Sequence, residues 1–158
     1  MPVQILINLC LAMLWMFLKD EWSLLAFTSG YLVGLFVIFA LRRFFPNAFY
    51  LKTIWAVFKL FLLFIYELIT SSILVVRQIA RPKLNITPGI FKIETELEGE
   101  WEITLLSLLI TLTPGSVVME LSPDGKTLYI HAMDIPESRD IVIKTKNRFE
   151  KAIMEVIR

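Results

Sequence analysis

Long apolar runs occupy the first half of the chain, and shorter, mixed runs occupy the second half. The long runs are Val3–Leu18, Trp22–Leu41 and Ile54–Val76. As helices they would be about 24, 30 and 34 Å long, against a bilayer core of about 30 Å. The third run is therefore long enough to span a membrane, whereas the first is short for a full crossing. The pattern predicts two to three hydrophobic helices, which make residues 1–82 a membrane region.

Two charged residues interrupt the third run. Lys59 lies near its start, beside Trp55, where a long side chain can carry its ammonium group to the membrane interface. Glu67 lies near the middle, where a carboxylate needs a proton, water or a partner on another helix. The two residues are about 80° and about 12 Å apart on a helix, so neither can neutralise the other. Their partners are expected from outside this segment.

The first two runs carry features typical of helix contacts. Gln4 and Asn8 are four residues apart and share one helix face, which suggests a contact through their side-chain amides. Gly30 and Gly34 form a G-x-x-x-G step, which lets a second helix approach closely. A single step of this kind is equally compatible with the ordinary use of glycine in membrane helices.

Charge divides the chain in the same way as hydropathy. Residues 1–82 hold seven Lys or Arg and three Asp or Glu, whereas residues 83–158 hold nine and twelve. The basic clusters Arg42–Arg43 and Arg77–Lys83 both favour the cytoplasmic side, which is impossible if the third run crosses the membrane once. Either the first two runs do not make two clean crossings, or one basic cluster lies outside. The larger cluster adjoins the second half, and we therefore predict that the C-terminal half is cytoplasmic.

The second half predicts a small α+β domain over residues 83–158 with the order β-α-β-β-α. A strand over Gly89–Leu97 is followed by an apolar helix over Trp101–Leu112, a hairpin of Ser116–Leu121 and Thr127–Met133, and an amphipathic helix over Pro136–Arg158. The hairpin turn is marked by Ser122-Pro123-Asp124-Gly125. The apolar helix is too short to cross a bilayer, and we interpret it as a core helix in preference to a fourth crossing.

No arrangement of residues predicts catalysis, a metal site or a cofactor. His131 is the only histidine and Cys10 the only cysteine, and each is interpreted as structural. Glutamates recur at every second position from Glu94 to Glu102, which on a strand places them on one solvent-facing side. The basic residues of the last helix lack interleaved aromatic residues, so nucleic acid is not expected as a partner. The chain is predicted not to be an enzyme.

The run Trp101–Gly115, WEITLLSLLITLTPG, and the run Leu128–Ile135, LYIHAMDI, resemble the E subunit of the Mrp-type (Mnh or Pha) multisubunit cation/proton antiporters of bacteria. The resemblance extends upstream through Pro82–Ile86 and Pro88–Ile90 and covers essentially the whole chain. It implies a multi-pass accessory subunit in the plasma membrane that is needed for assembly and full Na+/H+ exchange. The implied partners are the other antiporter subunits and membrane lipid.

The resemblance also marks candidate residues. Thr113, Pro114 and Gly115 would be signature positions: Thr113 can bond backbone groups freed at the helix end, and the other two fix the turn into the hairpin. In a hetero-oligomer, Glu67 and Lys59 are interpreted as intramembrane charges that contact another subunit. A sharper hypothesis places Glu67 directly on a proton or sodium path. The alternative function is a self-sufficient, membrane-anchored binding module that recruits a soluble partner.

Overall fold

The computed structural model describes residues 2–45, 49–82 and 86–157, with only the backbone of residues 136 and 137. Lys83 of the second basic cluster and the motif positions 83–85 lie outside the described residues. The chain forms two compact units, residues 1–55 and 56–158. Among the described residues, two helices are long and apolar enough to cross a membrane, Pro2–Lys19 and Tyr50–Ile79. These two units do not test the predicted border at residue 82 between a membrane part and a soluble part. That border stays a prediction.

The first unit is built on two apolar helices, α1 (Pro2–Lys19) and α2 (Leu24–Ala40). Ser23 caps α2, because its hydroxyl accepts a hydrogen bond from the Ala26 N–H at 3.1 Å. A single 3₁₀ turn, Arg42–Phe44, follows α2. The helix α3 (Tyr50–Ile79) begins in this unit, and most of its length belongs to the second.

Glycines bring α1 and α2 into close contact. A Cβ at Gly30 would lie 2.7 Å from the Trp15 Cβ, and a Cβ at Gly34 would overlap the Asn8 side-chain oxygen. Real side-chain carbons do not approach this closely, so the contact requires glycine at both positions. The G-x-x-x-G step is thus an internal helix contact of this chain.

Amides and hydroxyls hold the start of α3 within the first unit. The Tyr50 N–H donates to Gln4 Oε1 at 2.9 Å, and the Asn8 amide donates to the Tyr50 hydroxyl at 2.8 Å. The Tyr50 hydroxyl in turn donates to the Tyr31 hydroxyl at 3.2 Å. Because Gln4 and Asn8 are fully buried, these bonds satisfy donors and acceptors that lipid could not. The predicted helix contact through the two amides is confirmed.

The second unit combines most of α3 with an α+β layer. Its further elements are β1 (Gly89–Glu94), α4 (Glu100–Leu112), β2 (Ser116–Leu121), β3 (Thr127–Ala132) and α5 (Ile135–Ile157). The three strands form one antiparallel sheet in the order β1-β3-β2. Both the fold class and the order β-α-β-β-α are confirmed.

The hairpin and the core follow from local chemistry. The Gly125 N–H donates to the Ser122 carbonyl at 2.8 Å, and Gly125 has a φ of +72°, which glycine adopts without strain. Along β3, Leu128, Ile130 and Ala132 are buried, because alternate side chains point to the helix-covered face. The fully buried Leu106 of α4 belongs to the same core, so the prediction of a core helix is confirmed.

Candidate functional site

The acid near the middle of α3 is enclosed within the second unit. Glu67 is only 3% exposed. Its Oε1 accepts a hydrogen bond from Arg148 Nη1 at 2.7 Å, and its Oε2 accepts one from Thr145 Oγ1 at 2.9 Å. Thr145 and Arg148 are three residues apart on α5 and therefore share one helix face. Two donors on one stretch of α5 thus occupy both carboxylate oxygens.

These contacts correct one step of the sequence reasoning. The expectation that Glu67 finds its partner outside its own segment is confirmed, because both donors lie on α5. The inference that Glu67 contacts a neighbouring subunit relied on Glu67 having no partner within its own apolar run. That argument no longer holds, since the partners belong to the same chain. A contact of Glu67 or Lys59 with another subunit stays a prediction.

The ion pair is asymmetric in its exposure to water. The Arg148 side chain is 53% exposed, whereas that of Glu67 is 4% exposed. The hydrogen bond to Glu67 and its negative charge raise the pKa of Arg148 above its ordinary value, so the guanidinium stays charged. A carboxylate with so little access to water depends on its two donors, because a buried charge without a partner is costly.

Lys59 forms a much more exposed pair. Its Nζ lies 3.2 Å from Glu155 Oε2, and the two side chains are 52% and 46% exposed. Pairs of this kind contribute little to stability, since water screens both charges. The described contacts of Lys59 and Glu67 therefore join α3 to the same helix, α5, at two levels.

The signature residues form the end of α4. Thr113 is buried, and both its N–H and its hydroxyl donate to the Ile110 carbonyl, at 3.2 and 2.6 Å. Gly115 has a φ of +97°, a conformation that L side chains rarely adopt. Thr113 therefore makes the predicted contact with a backbone group at the end of α4. The backbone angle at residue 115 requires glycine. A functional weight for Thr113, Pro114 and Gly115 stays a prediction.

A cleft brings the signature turn close to the Glu67 network. Thr113, Pro114 and Gly115 line it from the end of α4, Ser71 from α3 and Thr145 from α5. It has room for a few water molecules, with a volume of about 50 Å³. Thr145 therefore both lines the cleft and donates to Glu67. The two sets of candidate residues, 46 positions apart in the chain, meet around one side chain of α5.

A second buried network was missed by the sequence reasoning. Glu150 of α5 pairs with Lys146 at 2.6 Å and accepts hydrogen bonds from the Thr95 hydroxyl at 2.6 Å and the Glu96 N–H at 2.7 Å. Burial acts to raise the pKa of Glu150, but the bonds from Lys146, Thr95 and Glu96 outweigh it and lower the pKa. The only signal in the sequence is the spacing of four between Lys146 and Glu150, which is common on exposed helix faces.

The glutamate series does not form a cation site. Glu94, Glu96, Glu98 and Glu100 are exposed, as the alternating pattern predicted, but Glu102 is buried in the first turn of α4. Strand β1 ends at Glu94, so the strand period no longer applies at residue 102. Over residues 2–45, 49–82 and 86–157, no group of three His, Cys, Asp or Glu side chains could hold a metal ion.

The geometry of the helices and of the α+β layer indicates a class of protein. Apolar helices carry internal polar contacts suited to lipid, and a small α+β layer is tied to one long apolar helix by an ion pair whose carboxylate is buried. Apolar helices with internal polar contacts are typical of a membrane protein.

Comparison with known proteins identifies the family. Residues 8–156 match the sequence profile of a family described as "Na+/H+ ion antiporter subunit". The chain is similar to the E subunit of the Na(+)/H(+) antiporter of Bacillus subtilis (strain 168), with 49% identity over 100% of both chains. It is also similar to the corresponding E subunit of Alkalihalophilus pseudofirmus, with 44% identity over 99% of both chains. The chain belongs to the family of Na+/H+ antiporter E subunits, and the resemblance found in the sequence is confirmed.

A solved structure shows a similar fold. A chain of the membrane-bound sulfane sulfur reductase, an archaeal respiratory membrane complex, matches with 22% identity and a TM-score of 0.55. The match covers 95% of this chain and 96% of that chain. At this level of identity the likeness concerns the fold alone.

Proposed function

We propose that this chain is an accessory subunit of a multisubunit monovalent cation/proton antiporter, needed for assembly of the complex and for full Na+/H+ exchange. Its relatives over the full length are named antiporter subunits, and so are transport proteins. The proposed partners are the other subunits of a hetero-oligomeric complex, together with membrane lipid.

The observation that carries the accessory role is the state of Glu67. An acid on a proton or sodium path must exchange its ligand, and such paths use several acids or waters in series. Both oxygens of Glu67 are held instead by Arg148 and Thr145 of the same chain. We therefore assign Glu67 to bracing α3 against α5, and not to ion transfer.

The experiment separates bracing from ion transfer. In cells that lack this chain, blue native electrophoresis is expected to show loss of the assembled complex, and everted vesicles are expected to lose Na+-dependent collapse of the pH gradient. Resupplying the chain with Glu67→Gln should restore assembly and most of the exchange. An assembled complex that is inactive with Glu67→Gln would refute the accessory role of this residue.

The same deletion tests the alternative function. If the remaining subunits assemble and exchange normally without this chain, the proposal fails, and a membrane-anchored module that recruits a soluble partner is favoured.

We further propose that the chain is a multi-pass protein of the bacterial plasma membrane with a cytoplasmic C-terminal domain. The apolar helices and the basic residues next to the α+β layer support this arrangement. Single cysteines in place of Lys19, Arg42 and Ser122 test it in intact cells with a membrane-impermeant maleimide. Labelling of the Ser122 position from outside would refute the cytoplasmic placement.

A further inference from the structure

One face of α3 is joined to α5 by two ion pairs. Within the second unit, Ala56, Leu60, Glu67 and Ser71 are buried and recur at helical spacing. Lys59 pairs with Glu155, and Glu67 pairs with Arg148. Residue numbers rise along α3 as they fall along α5, so the two helices run antiparallel side by side. The pairs extend over eight residues of α3, or about 12 Å.

The helix α5 is a water-facing helix. Its described residues include six exposed charged side chains: Arg139, Asp140, Lys144, Arg148, Lys151 and Glu155. Charged side chains within the hydrocarbon core are costly and rare unless they face a protein interior or a water-filled cavity. If α3 crossed the bilayer, these charges would be carried towards acyl chains beside it. The covered face of α3 therefore belongs on the aqueous side.

The opposite face of α3 is apolar and exposed in the described part of the chain. Leu62, Ile69 and Val76 are exposed and lie at intervals of seven residues, which places them on one stripe. The same face includes two further large exposed side chains, Phe61 and Ile73. A contiguous apolar surface of this size marks an interaction site.

Charge at the edge of this face indicates what covers it. Lys59 and Arg77 are exposed and lie five full helical turns apart, so they share one edge between the apolar and the covered face. Amphipathic helices that lie in a membrane surface have this arrangement, with basic residues at the level of anionic headgroups.

The distribution of basic residues gives an independent argument. If α3 crossed the membrane, Arg42–Arg43 before it and Arg77–Lys83 after it would lie on opposite sides. The positive-inside rule places both clusters in the cytoplasm. A helix that lies along the membrane surface satisfies the rule for both clusters, whereas a crossing helix violates it for one of them.

We infer that α3 lies in the plane of the cytoplasmic membrane surface, with its Leu62–Ile69–Val76 stripe among the acyl chains of anionic phospholipids. The face that bears Glu67 then points towards the aqueous α+β layer. The inference rests on the proposed membrane location of the chain, and it replaces a membrane crossing by α3 with surface binding.

Depth measurement tests the inference with a matched control in the same chain. Single cysteines replace Leu62, Ile69 and Val76 in a Cys10→Ala background, and the complex is reconstituted in vesicles of phosphatidylethanolamine and phosphatidylglycerol. Spin labels at these positions report depth through collisions with oxygen and with a water-soluble nickel chelate. The control is the exposed stripe on α2 with the same spacing of seven: Leu25, Leu32 and Phe39. Ile73 replaces any α3 position that does not assemble.

The expected result is one shared depth for the three α3 labels, all accessible to oxygen. The α2 labels should instead differ by about 10 Å per step of seven residues along a crossing helix. A difference of that size along α3 would overturn the inference. Labels on α3 that meet neither reagent would also overturn it, because a protein partner would then cover the stripe. If the labels on both α2 and α3 collide with the water-soluble nickel chelate, the proposed membrane location itself is overturned.

Discussion

Replacing Arg148 with glutamine removes the charged partner of a buried carboxylate and leaves the carboxylate in place. Loss of one partner of a fully buried pair costs about 3–5 kcal/mol. Arg148 is 53% exposed, so water already screens one side of this pair. We therefore expect Arg148→Gln to lower the free energy of unfolding by about 2–3 kcal/mol.

The reverse substitution should be milder. Glu67→Gln removes the charge but keeps an oxygen that can accept the Thr145 hydroxyl, and the half-exposed Arg148 can turn to water. The expected loss is that of one hydrogen bond, about 1 kcal/mol. The double variant Glu67→Gln/Arg148→Gln should resemble Glu67→Gln alone, because no buried charge then lacks a partner.

Thermal unfolding of the purified complex measures how much stability each of these variants loses. For a domain of this size, about 1 kcal/mol corresponds to about 4–8 °C in midpoint. Arg148→Gln should therefore lower the midpoint by about 8–24 °C, and Glu67→Gln by about 4–8 °C. Lys59→Gln, at the exposed pair, is the control and should cost under about 1 kcal/mol. Equal losses for the two single variants, or a double variant whose loss equals their sum, would refute the reasoning.

Three further predictions test the packing. Gly34→Ala should separate α1 from α2, since a Cβ there overlaps the Asn8 oxygen, and a loss of assembled complex on native gels checks it. The lowered pKa of Glu150 adds stability at neutral pH that is lost below about pH 4.5. Below pH 4.5, the thermal unfolding midpoint of Glu150→Gln should therefore change less with pH than that of the unaltered protein. Lys146→Met should lower the midpoint at pH 7. Gly115→Ala forces a φ of +97° on a residue with a Cβ and should cost about 1–3 kcal/mol in the same melting assay.

Local chemistry made the order of elements predictable. The turn Ser122–Gly125 places a proline and a glycine at positions where only certain backbone angles close a hairpin, so both strands could be assigned. The helix α4 was identified as core because its apolar length is too short for a bilayer. Strand β1 was predicted to reach Leu97 but ends at Glu94. The Glu96 and Leu97 N–H groups instead donate to side chains, those of Glu150 and Thr95.

The partners of Glu67 could not be read from the sequence. Arg148 lies 81 positions away, and the chain has 16 Lys and Arg residues with nothing local to select one of them. Hydrophobic periodicity identified the last helix as amphipathic, which agrees with the exposed half of the Arg148 side chain. It gave no sign that the other half reaches a carboxylate on α3, because that contact depends on how two distant helices pack.

The two units use different chemistry for their buried polar contacts, and the difference supports the surroundings proposed for them. In the first unit, Gln4, Asn8 and Tyr50 meet through neutral amides and hydroxyls, which satisfy backbone and side-chain groups without placing a charge in lipid. In the second unit, α3 meets α5 through an ionised pair whose Arg148 keeps half of its surface in water. A guanidinium hydrated to that degree belongs at an aqueous boundary. The helix that bears Glu67 therefore needs water along one side, which a helix surrounded by acyl chains would not have.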